Sequence, residues 1–265
     1  MKRITKRDVC LCIALISIIL LLLCEIFGFS SLFDGADQNT RTSLDMIATR
    51  LLGGIAFLAM LINLGYRVLD PIGNRFWGSI LFAIPAFVIA VNNFPFSCVI
   101  GGEAYLSAPW WAVALLLLEC MCVGFFEECA FRGVVFLGIL KKNPHSRVWA
   151  FVSIAASSVV FGLVHLINLI ESSPLAVLMQ IGYSALIGAM CAVVLMKSAS
   201  IWLCVIIHGL FNFAGAVIPR CGFGEIWDPF TVALTVVVSV AVALYFVIYF
   251  IKGKFEAVSD IYARE

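Results

Sequence analysis

Long apolar runs, separated by short polar breaks, set the pattern of this chain from end to end. A helix that crosses the hydrocarbon core needs about 20 mostly apolar residues. Eight stretches meet that need: residues 9–29, 47–64, 78–100, 110–140, 149–170, 175–196, 201–218 and 230–251. Within them the apolar residues run all the way round the helix, as expected of a helix whose every face meets lipid or protein. The fourth stretch is too long for one straight crossing, so it tilts strongly or continues along the interface. Pro85 inside the third is tolerable in a membrane helix. The pattern predicts an all-α fold: a polytopic transmembrane helical bundle with about eight membrane-spanning helices. Residues 1–265 read as a single integral membrane domain, with no linker, repeat or soluble segment.

Composition agrees. The chain is 63% hydrophobic and 12% charged, with a mean hydropathy of +1.09. Soluble proteins carry about 45–50% apolar and about 25% charged residues. All six tryptophans lie at or near the start of a predicted span, where an amphipathic indole sits at headgroup level. With the N-terminus inside, thirteen of the seventeen Lys and Arg fall in cytoplasmic segments, as the positive-inside bias requires. Arg41 and Arg220 fall outside, and Arg50 and Arg132 lie within spans. This predicts a multi-pass protein of the cell membrane with both termini cytoplasmic. A net charge of +1 leaves no nucleic-acid footprint. The ten cysteines include no Cys-x-x-Cys pair and read as small apolar packing residues.

Ionisable side chains at the centre of a membrane helix cost at least ~2.5–3.5 kcal/mol each on insertion scales. Here they are Glu25, Arg50, Glu119, Glu127, Glu128 and Arg132, joined by His165 and His208. The densest cluster is Glu127-Glu128-Cys129-Ala130-Phe131-Arg132. Glu128 and Arg132, four apart, can pair on one helix face. Glu127 points about 100° away, free to act as a general base. Phe161-Gly162-Leu163-Val164-His165 adds a histidine on an apolar helix. His208-Gly209-Leu210-Phe211-Asn212 puts an imidazole and a carboxamide on one face, both able to donate towards a developing oxyanion.

Glu-Glu-x-x-x-Arg, then Phe-x-x-x-His, then His-x-x-x-Asn, in this order on separate membrane helices, resembles the CPBP family. That family comprises the type II CAAX prenyl endopeptidases and the bacteriocin-processing or immunity (ABI) proteins. The matching stretch runs from Glu127 to Asn212, within a catalytic core of residues 110–218. The resemblance implies a membrane-embedded endopeptidase. Glu127 and His165 would activate the attacking water, and His208 and Asn212 would hold the oxyanion. Glu128 and Arg132 would position the site, and Phe161 would shape the pocket beside His165. The family has also been described as metalloproteases, and Glu127, His165 and His208 could make a three-ligand zinc site. Asparagine is a poor zinc ligand and a good oxyanion donor, so no cofactor is favoured and zinc is the alternative.

The expected partners are the lipid bilayer and a peptide or membrane-protein substrate, with a prenylated tail among the options. Two rivals stand beside this reading. One is a non-enzymatic immunity or partner-binding protein on the same fold. The other is a small proton-coupled transporter using Glu25, Glu119 and the glutamate pair as a relay. One tension concerns depth. At about 1.5 Å per residue, Glu127 lies roughly 20 Å and His165 about 25 Å from the cytoplasmic helix ends, but His208 only about 10 Å. The helices must therefore tilt or project to bring the three together, around a cavity expected to open to the cytoplasm.

Overall fold

A computed structural model describes residues 5–69, 76–170, 172–253 and 261–262. Of the basic residues counted above, Lys2, Arg3, Arg75, Lys254 and Arg264 lie outside the described residues.

Local chemistry marks where the helices begin. Thr5 and Asp8 form a reciprocal capping box at the start of α1 (Lys6–Phe27). Asp37 caps α2 (Gln38–Asn63) through the Thr40 amide. α3 (Phe76–Asn92) is followed by the one-turn α4 (Phe96–Ile100) and the strand β1 (Ala104–Leu106). α5 (Trp110–Glu127) runs on without a break into a π-helical segment, Glu128–Phe136, and then α6 (Leu137–Leu140). Ser146 caps α7 (Arg147–Leu163), which tightens into a 3-10 turn, Val164–Ile170, carrying His165. Ser173 caps α8 (Pro174–Ser198), with proline at the first turn, where its missing N–H costs nothing. α9 (Ile201–Cys221), β2 (Gly222–Gly224) and α10 (Pro229–Lys252, capped by Asp228) complete the order.

The all-α expectation holds, and the helices fall on all eight apolar runs. Among the described residues six helices are long and apolar enough to cross a membrane: α1, α2, α7 with its 3-10 turn, α8, α9 and α10. The other two runs fall on α3, apolar but only 17 residues long, and on the stretch 110–140. The run 78–100 is not one helix, which corrects the sequence reading. α3 stops at Asn92 and Pro95 begins the separate α4, because the residue before a proline is pushed out of the helical region. The run 47–64 was drawn too short. α2 starts at Gln38, since a helix persists into polar surroundings where an apolar count stops.

α8 and α9 are central, with 50% and 56% of their apolar stretches buried, against 11% for α1 and α10. The outer helices turn side chains such as Ile26, Val236 and Val237 outwards, which is stable only in an apolar solvent. Two features fix α5 against α9. The antiparallel β1–β2 pair links the approach to α5 with the end of α9. Gly224, at φ +113°, is required there because a Cβ would meet the Glu103 carbonyl oxygen at 2.0 Å. Lower down, Gly124 and Gly209 let the two backbones touch. A Cβ on Gly124 would meet the Val205 carbonyl oxygen at 3.0 Å, and one on Gly209 would meet Met121 Cα at 3.1 Å. Small residues at a crossing are how membrane helices approach closely.

Candidate active site

The Gly124–Gly209 crossing delivers the chemistry. One turn beyond Gly124 stand Glu127 and Glu128, and His208 precedes Gly209. Both carboxylates meet the same imidazole: Glu128 Oε1 lies 2.8 Å from His208 Nδ1, and Glu127 Oε2 lies 3.3 Å from Nε2. In the sequence Glu127 had no evident partner; in the fold its partner is His208. The π-helical segment begins at Glu128. Such wide turns are rare and recur at functional sites.

The two glutamates have different surroundings. Glu128 is fully buried, whereas Glu127 keeps 20% of its side chain exposed and can reach water. Glu128 Oε2 lies 3.2 Å from Arg132 Nε, the expected pairing four residues apart. The alignment is too poor for a hydrogen bond, and all three Arg132 nitrogens lack one among the described residues. The contact is therefore a charge pairing, supplemented by the guanidinium lying 4.3 Å over the Phe161 ring. His208 Nδ1 is within hydrogen-bonding reach of Glu128 Oε1, and Nε2 faces Glu127 at 3.3 Å as a close polar contact without hydrogen-bond alignment.

Phe161 is the hub of the site. Its ring is 1% exposed and meets those of His165 and His208 edge-on, with centroids 5.2 and 5.6 Å away. The 15 Å difference in depth counted along straight helices is thus closed by stagger or inclination of α7 and α9. His165 Nδ1 lies 2.9 Å from the Phe161 carbonyl oxygen. A carbonyl only accepts, so Nδ1 carries the proton and Nε2 presents its lone pair. Asn212, partly buried, follows His208 by one turn on α9.

Residues 109–214 match the family described as Type II CAAX prenyl endopeptidase Rce1-like. Over this segment the chain is similar to the CAAX protease family. The matched stretch contains Glu127, Glu128, Arg132, Phe161, His165, His208 and Asn212. No curated protein and no solved structure matches the chain. The activity assigned at family level is that of a CAAX-type membrane endopeptidase.

Both histidines have Nδ1 beside an acceptor, the Phe161 carbonyl for His165 and Glu128 for His208, a pattern that suits a zinc ligand as well as a base. Among the described residues, however, the triplets with ligand atoms within 4.8 Å of one another are Glu128, Cys191, Cys204 and Cys98, Glu103, Asp228. Glu127, His165 and His208 are not gathered so closely, and as arranged they do not close a zinc site. The first triplet already spends Glu128 on His208 and Arg132.

Three supporting residues escaped the sequence reading. Asn93 Nδ2 donates to the Phe211 carbonyl at 2.8 Å, beside Asn212, and fits only because Gly215 has no Cβ. The polar pair Asn92-Asn93 ending an apolar run was its signal. Arg220, expected in an outer loop, lies in the last turn of α9 and grips Glu119 with both terminal nitrogens, at 3.1 and 3.2 Å. Ser43 of α2 donates to the same carboxylate at 2.6 Å. Glu119 is thus part of a clamp across α2, α5 and α9, which removes it as a free member of a proton relay.

Proposed function

We propose that the chain is a membrane-embedded endopeptidase that hydrolyses a peptide bond with a water activated by Glu127, within a catalytic core of residues 110–218. The observation that carries this is the bridging of the glutamate pair by His208. The reaction starts with Glu127 ionised and a proton on His208 Nε2. A water held between Glu127 and the free Nε2 of His165 gives its proton to Glu127 as its oxygen adds to the carbonyl carbon. Once Glu127 is neutral it no longer needs the Nε2 proton, which is freed for the oxyanion as that charge forms. Asn212 supplies the second donor. Collapse of the tetrahedral intermediate sends the proton from Glu127 to the leaving amine.

Glu128 and Arg132 act through His208: the buried carboxylate, beside the Nδ1 nitrogen, keeps the imidazole oriented. The substrate is a peptide or membrane-protein segment, with prenylated tails among the candidates. Its entry is from the cytoplasmic side, where the basic loop 141–147 joins the two helices carrying Glu127 and His165. A multi-pass placement in the cell membrane with cytoplasmic termini completes the proposal.

The test is a Glu127→Gln variant, which keeps shape and hydrogen bonding but removes the proton acceptor. Turnover should fall about 10²–10⁴-fold while folding survives. Membrane peptides captured by the variant, identified by mass spectrometry, would give the substrate. Unchanged cleavage by Glu127→Gln would end the enzyme reading and leave the non-enzymatic, partner-binding one.

A further inference from the structure

Away from this site, a cavity of about 270 Å³ opens between α1 and α2 at the end that carries the α1–α2 turn. Cys24, Glu25 and Gly28 line it from the α1 side, and Asp45, Thr49 and Arg50 from α2. Its three charged groups are not equivalent. Asp45 is committed, accepting from the Ser30 amide at 2.7 Å and the Ser30 hydroxyl at 2.8 Å. Among the described residues Arg50 has no carboxylate within ion-pair distance, and its one close partner is the Phe126 ring, 5.1 Å from the guanidinium carbon. Glu25 is exposed and likewise has no hydrogen bond or ion pair among the described residues.

Two opposite charges therefore face one cavity without partners, Glu25 in the last turn of α1 and Arg50 in the first turn of the apolar run 47–64, where lipid headgroups lie. Leaving both so in a membrane is costly. A guanidinium is suited to a phosphate, which it binds bidentately. A carboxylate is suited to an ammonium that still has protons to donate. We infer that this cavity binds the headgroup of an aminophospholipid from the leaflet of the α1–α2 turn, with its phosphodiester on Arg50 and its primary ammonium on Glu25. The chemistry sets an order of preference. A phosphatidylethanolamine satisfies both charges. A phosphatidylcholine offers a quaternary ammonium that cannot donate to Glu25. A phosphatidylglycerol offers an anion alone and leaves Glu25 unpaired. Because α1 packs chiefly on α2, an occupied cavity also fastens the outermost helix to the bundle. Through Arg50 it bears on Phe126, the residue before Glu127.

The experiment is thermal unfolding of the purified protein in detergent, titrated with each of the three lipids and with soluble phosphoethanolamine. Phosphatidylethanolamine should raise the midpoint most. Glu25→Gln and Arg50→Gln should each weaken its half-saturating concentration about 10-fold or more, the worth of a charge-assisted contact. Glu25→Gln should leave the response to phosphatidylglycerol as in the wild type, whereas Arg50→Gln should weaken the response to all three lipids, since each carries a phosphodiester. Arg50→Lys, which keeps the charge but loses the fork, should fall between, and serves if Arg50→Gln does not fold. An equal response to all three lipids, or a preference for phosphatidylglycerol, would overturn the inference. So would an equal effect of soluble phosphoethanolamine, which would mark a site for a free metabolite. So would a loss of midpoint in lipid-free detergent that is shared non-additively by the Glu25 and Arg50 variants, which would mark an internal ion pair.

Discussion

The crossing of α5 and α9 is directly open to test by Gly124→Ala. The added Cβ would lie 3.0 Å from the Val205 carbonyl oxygen, 3.1 Å from the Gly209 nitrogen and 3.4 Å from Gly209 Cα, where ordinary contact begins at 3.4 Å. All three neighbours are backbone atoms, so no rotamer change relieves them, and α5 and α9 must part by about 0.3–0.4 Å. Added to the 3.3 Å between Glu127 and His208, that opens their contact to about 3.6–3.7 Å, beyond hydrogen-bonding reach in any alignment. Overpacking should cost about 1–3 kcal/mol of stability. A displacement near 1 Å costs about 10²-fold in rate, so a third of that should cost about four-fold to six-fold. Gly138→Ala is the control, since nothing lies within 4 Å of its Cβ. Thermal unfolding followed by tryptophan fluorescence, and kcat on the trapped peptide well below the melting range, give the two readouts. If Gly124→Ala behaves like Gly138→Ala in both, the crossing does not set the site.

Other outcomes follow from the remaining contacts. Arg220→Ala strands the nearly buried Glu119 carboxylate and should cost about 2–3 kcal/mol, short of the figure for a wholly buried pair because Arg220 is 30% exposed; Glu119→Gln in the same chain should recover part of that loss in a denaturation series. The Thr231 amide and then its hydroxyl hold the Asp228 carboxyl below its ordinary value of 3.8. Its capping of α10 is therefore complete above about pH 3.8 and is lost as pH falls through the lowered folded value. The midpoint should drop over that acidic range, and Asp228→Asn should abolish that part of the dependence. Exhaustive chelation should leave peptide cleavage intact, with no stoichiometric zinc on metal analysis; loss on chelation with recovery on added zinc would restore Glu127, His165 and His208 as ligands.

The sequence by itself determined what depends on local composition. Apolar runs gave the helices and their lipid solvent, and three short motifs carried the site residues and the family resemblance. It misjudged ends: Pro95 split one run, and the polar first turns of α2 went unread. What it could not decide was partnership. Lipid is as apolar as leucine, so nothing in an apolar pattern says which helices meet, or at what stagger and rotation. Those were decided in the fold by Gly124 against Gly209, by Gly215 making room for Asn93, and by the β1–β2 link. Only then did Glu127 and Glu128 meet the two nitrogens of one histidine, and Arg220 reach Glu119. A buried charge must find a counter-charge, and the sequence shows that the need exists; which residue meets it depends on differences of a few ångströms in helix position.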